Sequence, residues 1–474
     1  MVFQKNITNQ RLLIGFAAVT VVSLLAAVAV QSPFPAAIPA ALLLVYVTVV
    51  DFRSLFFLLL ACIPISFEYQ FPNGFGTDLP TEPLIVGLML VYFLFVLKSG
   101  VILRGGEFLK HPFTLLIGIS LAWAVLATMH STDTFISIKF LLAKTWYIVT
   151  FYFLAAWLLR ERRDFRQFIK AILIPLSIAV IVTTVRHAAD GFSFLNVNYV
   201  MQPIFRNHVM YAAIVAVSLP FLVLAFCWAR RGSTVKRLIF LGILLFLAAI
   251  QLSYTRAAYG AVVGAAAYYF VVRWRLTKLF VSICIVAVIG FVGYVTSHNK
   301  YLDYAPKFEK AISHQNFDNL LEATTKGEDV STMERVYRWV AGFRMVGARP
   351  WAGFGPNTFP ESYKSYTVVN FKTYVSDNKE GSTVHCYFLL MAIEQGVIGS
   401  LLFFLLVFVV LLRGEKIYHN SRPRSWQRHV TLAALLSFVT ILILITINDL
   451  IETDKIGSFF FLNMAILANM DLKK

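Results

Sequence analysis

Two arginines and one histidine stand where charged residues are otherwise scarce. Arg206 lies in Phe205-Arg206-Asn207-His208, just before an apolar run at 209–229, and Arg256 lies in Tyr254-Thr255-Arg256, at the head of a run at 257–272. A guanidinium binds phosphate oxygens through a planar fork, two hydrogen bonds at a time. Headgroup contact and snorkelling account for either arginine alone. The pair, on loops almost free of other basic residues, points to a site for a lipid-linked phosphate or pyrophosphate. His385 opens a further apolar run, at 386–412. A neutral imidazole at a membrane boundary can act as a general base near physiological pH. With a helix starting at His385, Gly396 and Gly399 fall within roughly 20–40° of it on the wheel. Glycines on one face let a second helix approach closely, so His385 is expected at the top of a tightly packed helix seam.

Other polar residues carry weaker signals. Glu394 is the one acidic residue placed within an apolar run. It falls about 180° from His385 and roughly 13 Å deeper, so it cannot orient the imidazole. A hydrogen bond to a neighbouring helix is the expected role. Asp449, Glu452 and Asp454 cluster in one short loop. Grouped carboxylates can hold a divalent cation, but an acidic loop that helps set orientation is the simpler reading, and no metal is expected. Gly260 and Gly264 have the GxxxG spacing of packed helices. Cys62, Cys227, Cys284 and Cys386 show neither metal-ligand spacing nor a disulfide framework. No P-loop, dinucleotide fingerprint, zinc site or serine elbow is present.

The elements that must position these residues are membrane helices. The 474 residues are 58% hydrophobic and only 14% charged, with a mean hydropathy of +0.72. A soluble domain carries about 25% charge, so soluble, disordered and fibrous classes are excluded. Apolar runs lie at 12–30, 36–50, 54–66, 83–97, 113–129, 145–159, 167–185, 209–229, 238–252, 257–272, 279–296, 386–412, 429–447 and 456–470. The expected fold is an all-α polytopic membrane protein of about fourteen transmembrane helices, or twelve if one short pair re-enters. The first run follows Lys5 and Arg11 and ends near Ala27-Val28-Ala29, a weak signal-peptide look; an uncleaved first helix is the preferred reading.

Charge sets the orientation. The net charge of +17 would suggest nucleic acid in a soluble protein, but its placement is topological. With the N-terminus inside, inner segments hold 25 of the 42 basic residues, short outer loops hold six, and a long polar stretch at 297–385 holds the rest. That stretch is therefore expected outside. The domains read as N-terminal membrane helices at 1–296, an extracytoplasmic loop domain at 297–385 and C-terminal membrane helices at 386–474. Within the loop, Ser331 to Gly347 reads as an amphipathic helix, with Val336, Val340, Phe343 and Met345 among charged residues and a Ser331-x-x-Glu334 capping box. Asn316 to Asp329 reads as a mobile loop.

At these residues the chain resembles the O-antigen ligase and O-antigen polymerase superfamily of bacterial envelope glycan transferases. The ligase pattern is His, usually Asn, Ser or Gln, nine residues, then Gly-x-x-Gly; here it is His385, Cys386, nine residues, Gly396 and Gly399. Cys386 departs from the usual polar residue. Arg349-Pro350-Trp351-Ala352-Gly353-Phe354-Gly355 resembles the family's Pro-x-x-Gly-x-Gly segment, and Tyr254-Thr255-Arg256-Ala257 its Ser-Arg-Gly/Ala element with Thr for Ser. The resemblance covers the C-terminal two-thirds. It implies an inverting, metal-independent and cofactor-free glycosyltransferase at the periplasmic face of the bacterial inner membrane. The implied donor is a glycan on undecaprenyl pyrophosphate, and the implied acceptor a hydroxyl of lipid A–core or of another glycan; a nucleic acid is not a partner. His385 would position or deprotonate the acceptor, and Arg206 and Arg256 would hold the pyrophosphate. Arg335, Arg338 and His208 are further candidates for substrate contact. Alternatives are a polymerase of the same superfamily, a protein O-oligosaccharyltransferase and, from another class, a lipid-linked glycan flippase. A transporter usually shows internal repeats; none is visible, and the large outer stretch favours an enzyme working at one face.

Overall fold

The computed structural model describes residues 2–30, 51–70, 76–99, 105–296, 330–367 and 381–473, with scattered residues between 35 and 46. Helices dominate: α1 (Val2–Ala29), α2 (Phe52–Cys62), α3 (Thr81–Ser99), α4 (Pro112–Met129) and α5 (Thr134–Leu158), the last with a π-helical stretch at Ile148–Leu154. They continue as α6 (Arg162–Ala189), α7 (His208–Trp228), α8 (Thr234–Leu252), α9 (Arg256–Arg273) and α10 (Thr277–Thr296). The amphipathic α11 (Val330–Ala348) precedes α12 (Tyr387–Asn420), α13 (Trp426–Leu444) and α14 (Asp454–Asp471).

Local sequence explains where the helices begin. Side chains of Asp133, Asn207, Ser233 and Ser425 accept from backbone N–H groups of Ile136, Met210, Lys236 and Arg428, giving α5, α7, α8 and α13 N-caps. Among the described residues, seven helices, α4 to α8 with α12 and α13, are long and apolar enough to cross a membrane. Shorter apolar segments lie in α1, α2, α3 and α10. Length and apolarity thus support seven full spans and several shorter ones, not a definite fourteen. The run at 36–50 and the loop from Asn316 to Asp329 lie largely outside the described residues. One departure from the all-α expectation is a hairpin, β1 (Phe67–Gln70) with β2 (Gly76–Leu79), antiparallel with Phe67 opposite Leu79. Four-residue polar strands carry too little alternation to be read from sequence.

N- and C-terminal helices share one apolar core running from Leu55 to Met470. α12 packs on α4, α13 lies against α7 and α9, and α14 contacts the π-helical stretch of α5. Every residue of α14 from Asp454 to Met470 is buried. Several of its polar groups have partners: Asn463 donates to Ser437 Oγ at 3.0 Å and Asn469 to Ala156 O at 2.8 Å, while Asn463 Oδ1 has no hydrogen-bond partner among the described residues. A helix wholly surrounded by protein tolerates such residues where hydrogen bonds offset most of the cost of burial. Gly264 borders Ile443 of α13, as its spacing suggested, whereas a Cβ at Gly260 would meet no other element within 4 Å.

Polar contacts sort by side. Glu68 meets Arg206, Thr132 donates to Phe354 O, Tyr254 to Phe192 O, and Lys144 pairs with Glu452, all between segments assigned outside. Arg53–Asp164, Arg413–Asp471 and Thr277–Glu415 all join segments assigned inside. In a variant whose four native cysteines are replaced by serine, a cysteine at position 319 is expected to react with an impermeant thiol reagent in intact spheroplasts, and one at 421 is not. The reverse pattern contradicts the orientation.

Candidate functional site

The segment at 350–359 is threaded into a break in α12. Gly396 interrupts that helix with φ 70° and ψ −178°, a region essentially reserved for glycine. The break frees backbone groups, and the segment pairs with them. Val397 N donates to Pro350 O at 2.8 Å, Phe354 N to Ile393 O at 3.0 Å and Gly355 N to Glu394 O at 2.9 Å. A Cβ at Gly396 would collide with Trp351 O, and one at Gly355 with Ser131. One at Gly353 would lie 2.5 Å from Ile393 O. These glycines therefore admit a loop backbone.

This corrects the helical-wheel argument. α12 starts at Tyr387, after Cys386, so His385 precedes the helix, and the phase is broken again at Gly396. Gly399 does pack closely, against Trp123. Glu394 also differs from expectation. Its carboxylate accepts from the backbone N–H groups of Asn357 (2.8 Å) and Phe359 (3.3 Å), so it binds the inserted loop instead of a neighbouring helix. Gly396→Ala is expected to lower stability by about 3 kcal/mol or more, from forbidden φ/ψ plus a backbone clash. Gly347→Ala, in α11 where an added Cβ meets no other element within 4 Å, should be neutral or stabilising by up to about 1 kcal/mol. Thermal unfolding of both purified variants checks this; equal Tm values would contradict the inserted-loop geometry.

His385 sits at the mouth of this assembly in the left-handed region, φ 55°, where histidine is among the more tolerated non-glycine residues. Tyr387 N donates to Ile445 O at 3.0 Å, tying the start of α12 to the end of α13. Arg338 on α11 places Nη1 3.3 Å from His385 Nε2, 3.0 Å from Ser382 Oγ and 2.9 Å from Thr383 O. A guanidinium only donates. Nε2 is therefore the acceptor, and the ring proton belongs on Nδ1, which lies 3.9 Å from Asp449 Oδ1. That is an ion-pair distance for a charged ring, and too long for a direct hydrogen bond. Thr383 links the two: its hydroxyl bonds the Asp449 carboxylate and accepts from His385 N at 3.4 Å.

The electrostatics revise the expected chemistry of His385. Burial, then the charges of Arg335 and Arg338, push its pKa down to about 3. The imidazole is neutral, as expected, but its lone pair is held and its basicity suppressed. Burial raises the Asp449 carboxyl against the opposing pull of Thr383, Arg206 and Arg338. Asp449 and His385 side chains are each about a quarter exposed, so both remain within reach from outside.

α11 forms where the pattern predicted, but its buried face is not the purely apolar one. Glu334, Tyr337, Arg338, Ala341 and Met345 are buried, with Arg338 Nε 3.5 Å from Glu334, while Val336 and Phe343 are only half-buried. Glu334 thus serves Arg338; the side chain of Ser331, the other half of the expected capping box, lies outside those described.

The other candidates converge on the same end. Arg206 is exposed, pairs with Glu68 of β1 at 3.8 Å and acts electrostatically on Asp449. Arg256 is the first residue of α9 and half-buried. Thr255 Oγ1 donates to His208 O at 3.3 Å, which joins the Arg256 segment to the Arg206–His208 segment. His208 itself is engaged with Asn198 Oδ1, at 2.7 Å from Nδ1. The expected acidic cluster disperses. Asp449 faces His385, Glu452 pairs with Lys144 (2.7 Å) and Tyr387 (2.5 Å), and Asp454 binds Ser66 (2.6 Å) and Thr81 (2.9 Å). Among the described residues no group of three His, Cys, Asp or Glu side chains is arranged to hold a metal ion. Sequence reasoning missed Asp449 as the partner of His385 and Arg338 as a buried contact. The acidic loop was visible; which carboxylate turned inward was not.

Residues 241–404 match the family described as O-antigen ligase. The chain carries a domain of the O-antigen ligase and polymerase superfamily. That match takes in Arg256, α11, the inserted loop, His385 and the broken first part of α12; Arg206 and Asp449 lie outside it. No curated protein matches the chain. The domain type is that of multi-pass membrane enzymes of the ligase and polymerase kind, working on lipid-linked glycans.

Proposed function

We propose that the protein transfers a glycan from undecaprenyl pyrophosphate to an acceptor hydroxyl at the periplasmic face of the bacterial inner membrane, as an O-antigen ligase. The observation that carries this reading is the meeting, at one end of the bundle, of the Arg206 and Arg256 segments with His385 and Asp449. The arginines sit at the head of membrane helices, where a lipid headgroup arrives, and the imidazole, beside Asp449 and about a quarter exposed, is within reach of a water-side acceptor.

In this mechanism the acceptor oxygen attacks the anomeric carbon opposite the diphosphate. The anomeric C–O bond breaks and its electron pair leaves on the diphosphate, with inversion at the sugar. Arg206 and Arg256 bind the diphosphate and stabilise the charge that grows on it, the kind of electrostatic aid that weighs most in an occluded site. The acceptor proton passes to Nε2 of His385. Asp449, facing Nδ1, stabilises the imidazolium that forms. These steps require neither a metal nor a cofactor.

The acceptor is tested genetically. With the gene deleted, loss of every ladder band of lipopolysaccharide, with lipid-linked polymer retained, is expected for a ligase. A core bearing a single repeat marks a polymerase instead, and an unchanged ladder contradicts both.

A further inference from the structure

In the structure the proposed base is occupied. Nε2, the nitrogen that must accept the acceptor proton, already accepts from Arg338 Nη1 at 3.3 Å. We propose that Arg338 is a latch on His385 that the donor's diphosphate opens, drawing the guanidinium off Nε2 and freeing that lone pair only when a donor is bound. This rests on the transfer reading above and deepens it: Arg338 becomes a positioning residue whose partner changes with the substrate. Without a donor, water or an acceptor alone meets an imidazole that cannot take a proton. With a donor, phosphate oxygens offer the guanidinium a doubly charged, bidentate partner that a neutral ring nitrogen cannot match.

Geometry supports a short movement. The latch lies one side chain below the surface, since Arg338 is buried while His385 is about a quarter exposed. Half-buried Arg335, one turn earlier on the same helix, acts on the same imidazole and gives the diphosphate a point of entry. The contacts to Ser382 Oγ and Thr383 O come from the same Nη1 that holds Nε2 and swing with that arm, while the Glu334 carboxylate, 3.5 Å from Nε, keeps hold of the guanidinium.

The charges around the ring set the sign of a measurable effect. Arg335 and Arg338 face it from α11, and both lower its proton affinity. Asp449 faces it from the loop before α14, itself under the charge of Arg206. Glu452, from the same loop, is engaged with Lys144 and with Tyr387 two residues on. Two phosphate charges added beside the arginines oppose their effect, and removal of Arg338 from Nε2 acts in the same direction. Burial, the first cause of the lowering, remains when the donor binds, so His385 rises from about 3 part of the way toward the ordinary histidine value of about 6.5. Between those values, donor binding must take up a proton, and linkage makes this visible without catalysis.

The probe is a short-chain polyprenyl diphosphate-linked sugar, a diester whose phosphates stay ionised throughout the window. Its binding to the purified full chain is followed by calorimetry in buffers of differing ionisation enthalpy. The expected result is net proton uptake that is largest between about pH 4 and 5 and falls to none near pH 8. In His385→Gln that uptake should vanish, and any remainder belongs to Asp449. In Arg338→Gln it should fall by about half or more, because the free protein no longer suppresses the imidazole. Binding by the wild type with no uptake, or equal uptake in His385→Gln or Arg338→Gln, overturns the latch and leaves the transfer reading standing. No binding at all, or binding indifferent to Arg256→Lys, overturns that reading, and the latch with it.

Discussion

His385→Ala is expected to lose at least about 100-fold in glycan transfer while remaining folded and inserted, because a general base contributes about 10²–10⁴-fold. Folding should survive, since His385 lies outside the helix that follows it and its side chain is about a quarter exposed. The main structural ties there belong to neighbours: Tyr387 N to Ile445 O, and Arg338 to Ser382 and Thr383. Removing the imidazole costs Arg338 one of several partners, so a severe loss of stability has no mechanism. Donor binding should change little, because Arg206 and Arg256 carry that contact in this account. The check is donor affinity and transfer rate on the same purified variant. Near-normal transfer removes His385 from the mechanism, and lost donor binding in a folded protein makes it a phosphate ligand.

The second large effect is Arg256→Lys. Lysine keeps the charge and loses the planar fork. Loss of one charge-assisted contact to a phosphate in a dry site should raise the barrier by roughly 2–4 kcal/mol, or about 30–1,000-fold in rate. Arg256 opens α9 beside Thr255, whose hydroxyl is tied to His208 O, so its backbone is held and a flexible ammonium cannot recover the geometry by moving the chain. Transfer should survive EDTA in the wild type. Strict dependence on Mg²⁺ or Mn²⁺, with loss on Asp449→Ala, would move the chemistry to a metal.

Much of this was legible in the sequence because the bilayer imposes strong patterns. Apolar runs located most of the described helices, and both arginine segments stood out as exceptions to the expected sorting of basic residues. α11 appeared within a residue or two of its bounds, from periodicity alone. The failures have physical causes. A wheel drawn from His385 assumes unbroken helical phase, and Gly396 breaks it; sequence spacing cannot distinguish a glycine that admits a helix from one that admits a loop. Glu394 does lie buried in the helix that its apolar run forms, but its partners, Asn357 N and Phe359 N, come from a segment whose insertion no local pattern encodes. Asp449, Glu452 and Asp454 looked equivalent, and only packing gave each a separate partner. The same holds for Arg338: amphipathicity predicts charged residues facing solvent, yet a buried arginine is stable where Glu334, Ser382, Thr383 and His385 surround it.

The central claim is that bond cleavage, and not transport, happens where the arginines meet His385. It is tested most directly by reconstituting the purified protein in vesicles with a polyprenyl diphosphate-linked glycan and an acceptor, in EDTA. Released polyprenyl diphosphate and glycosylated acceptor are counted together, and the anomeric configuration of the product is read by NMR. The account predicts one released diphosphate for each new glycosidic bond, with inverted configuration, and a rate at least about 100-fold lower in His385→Ala. Movement of intact donor between leaflets with no diphosphate released would contradict it.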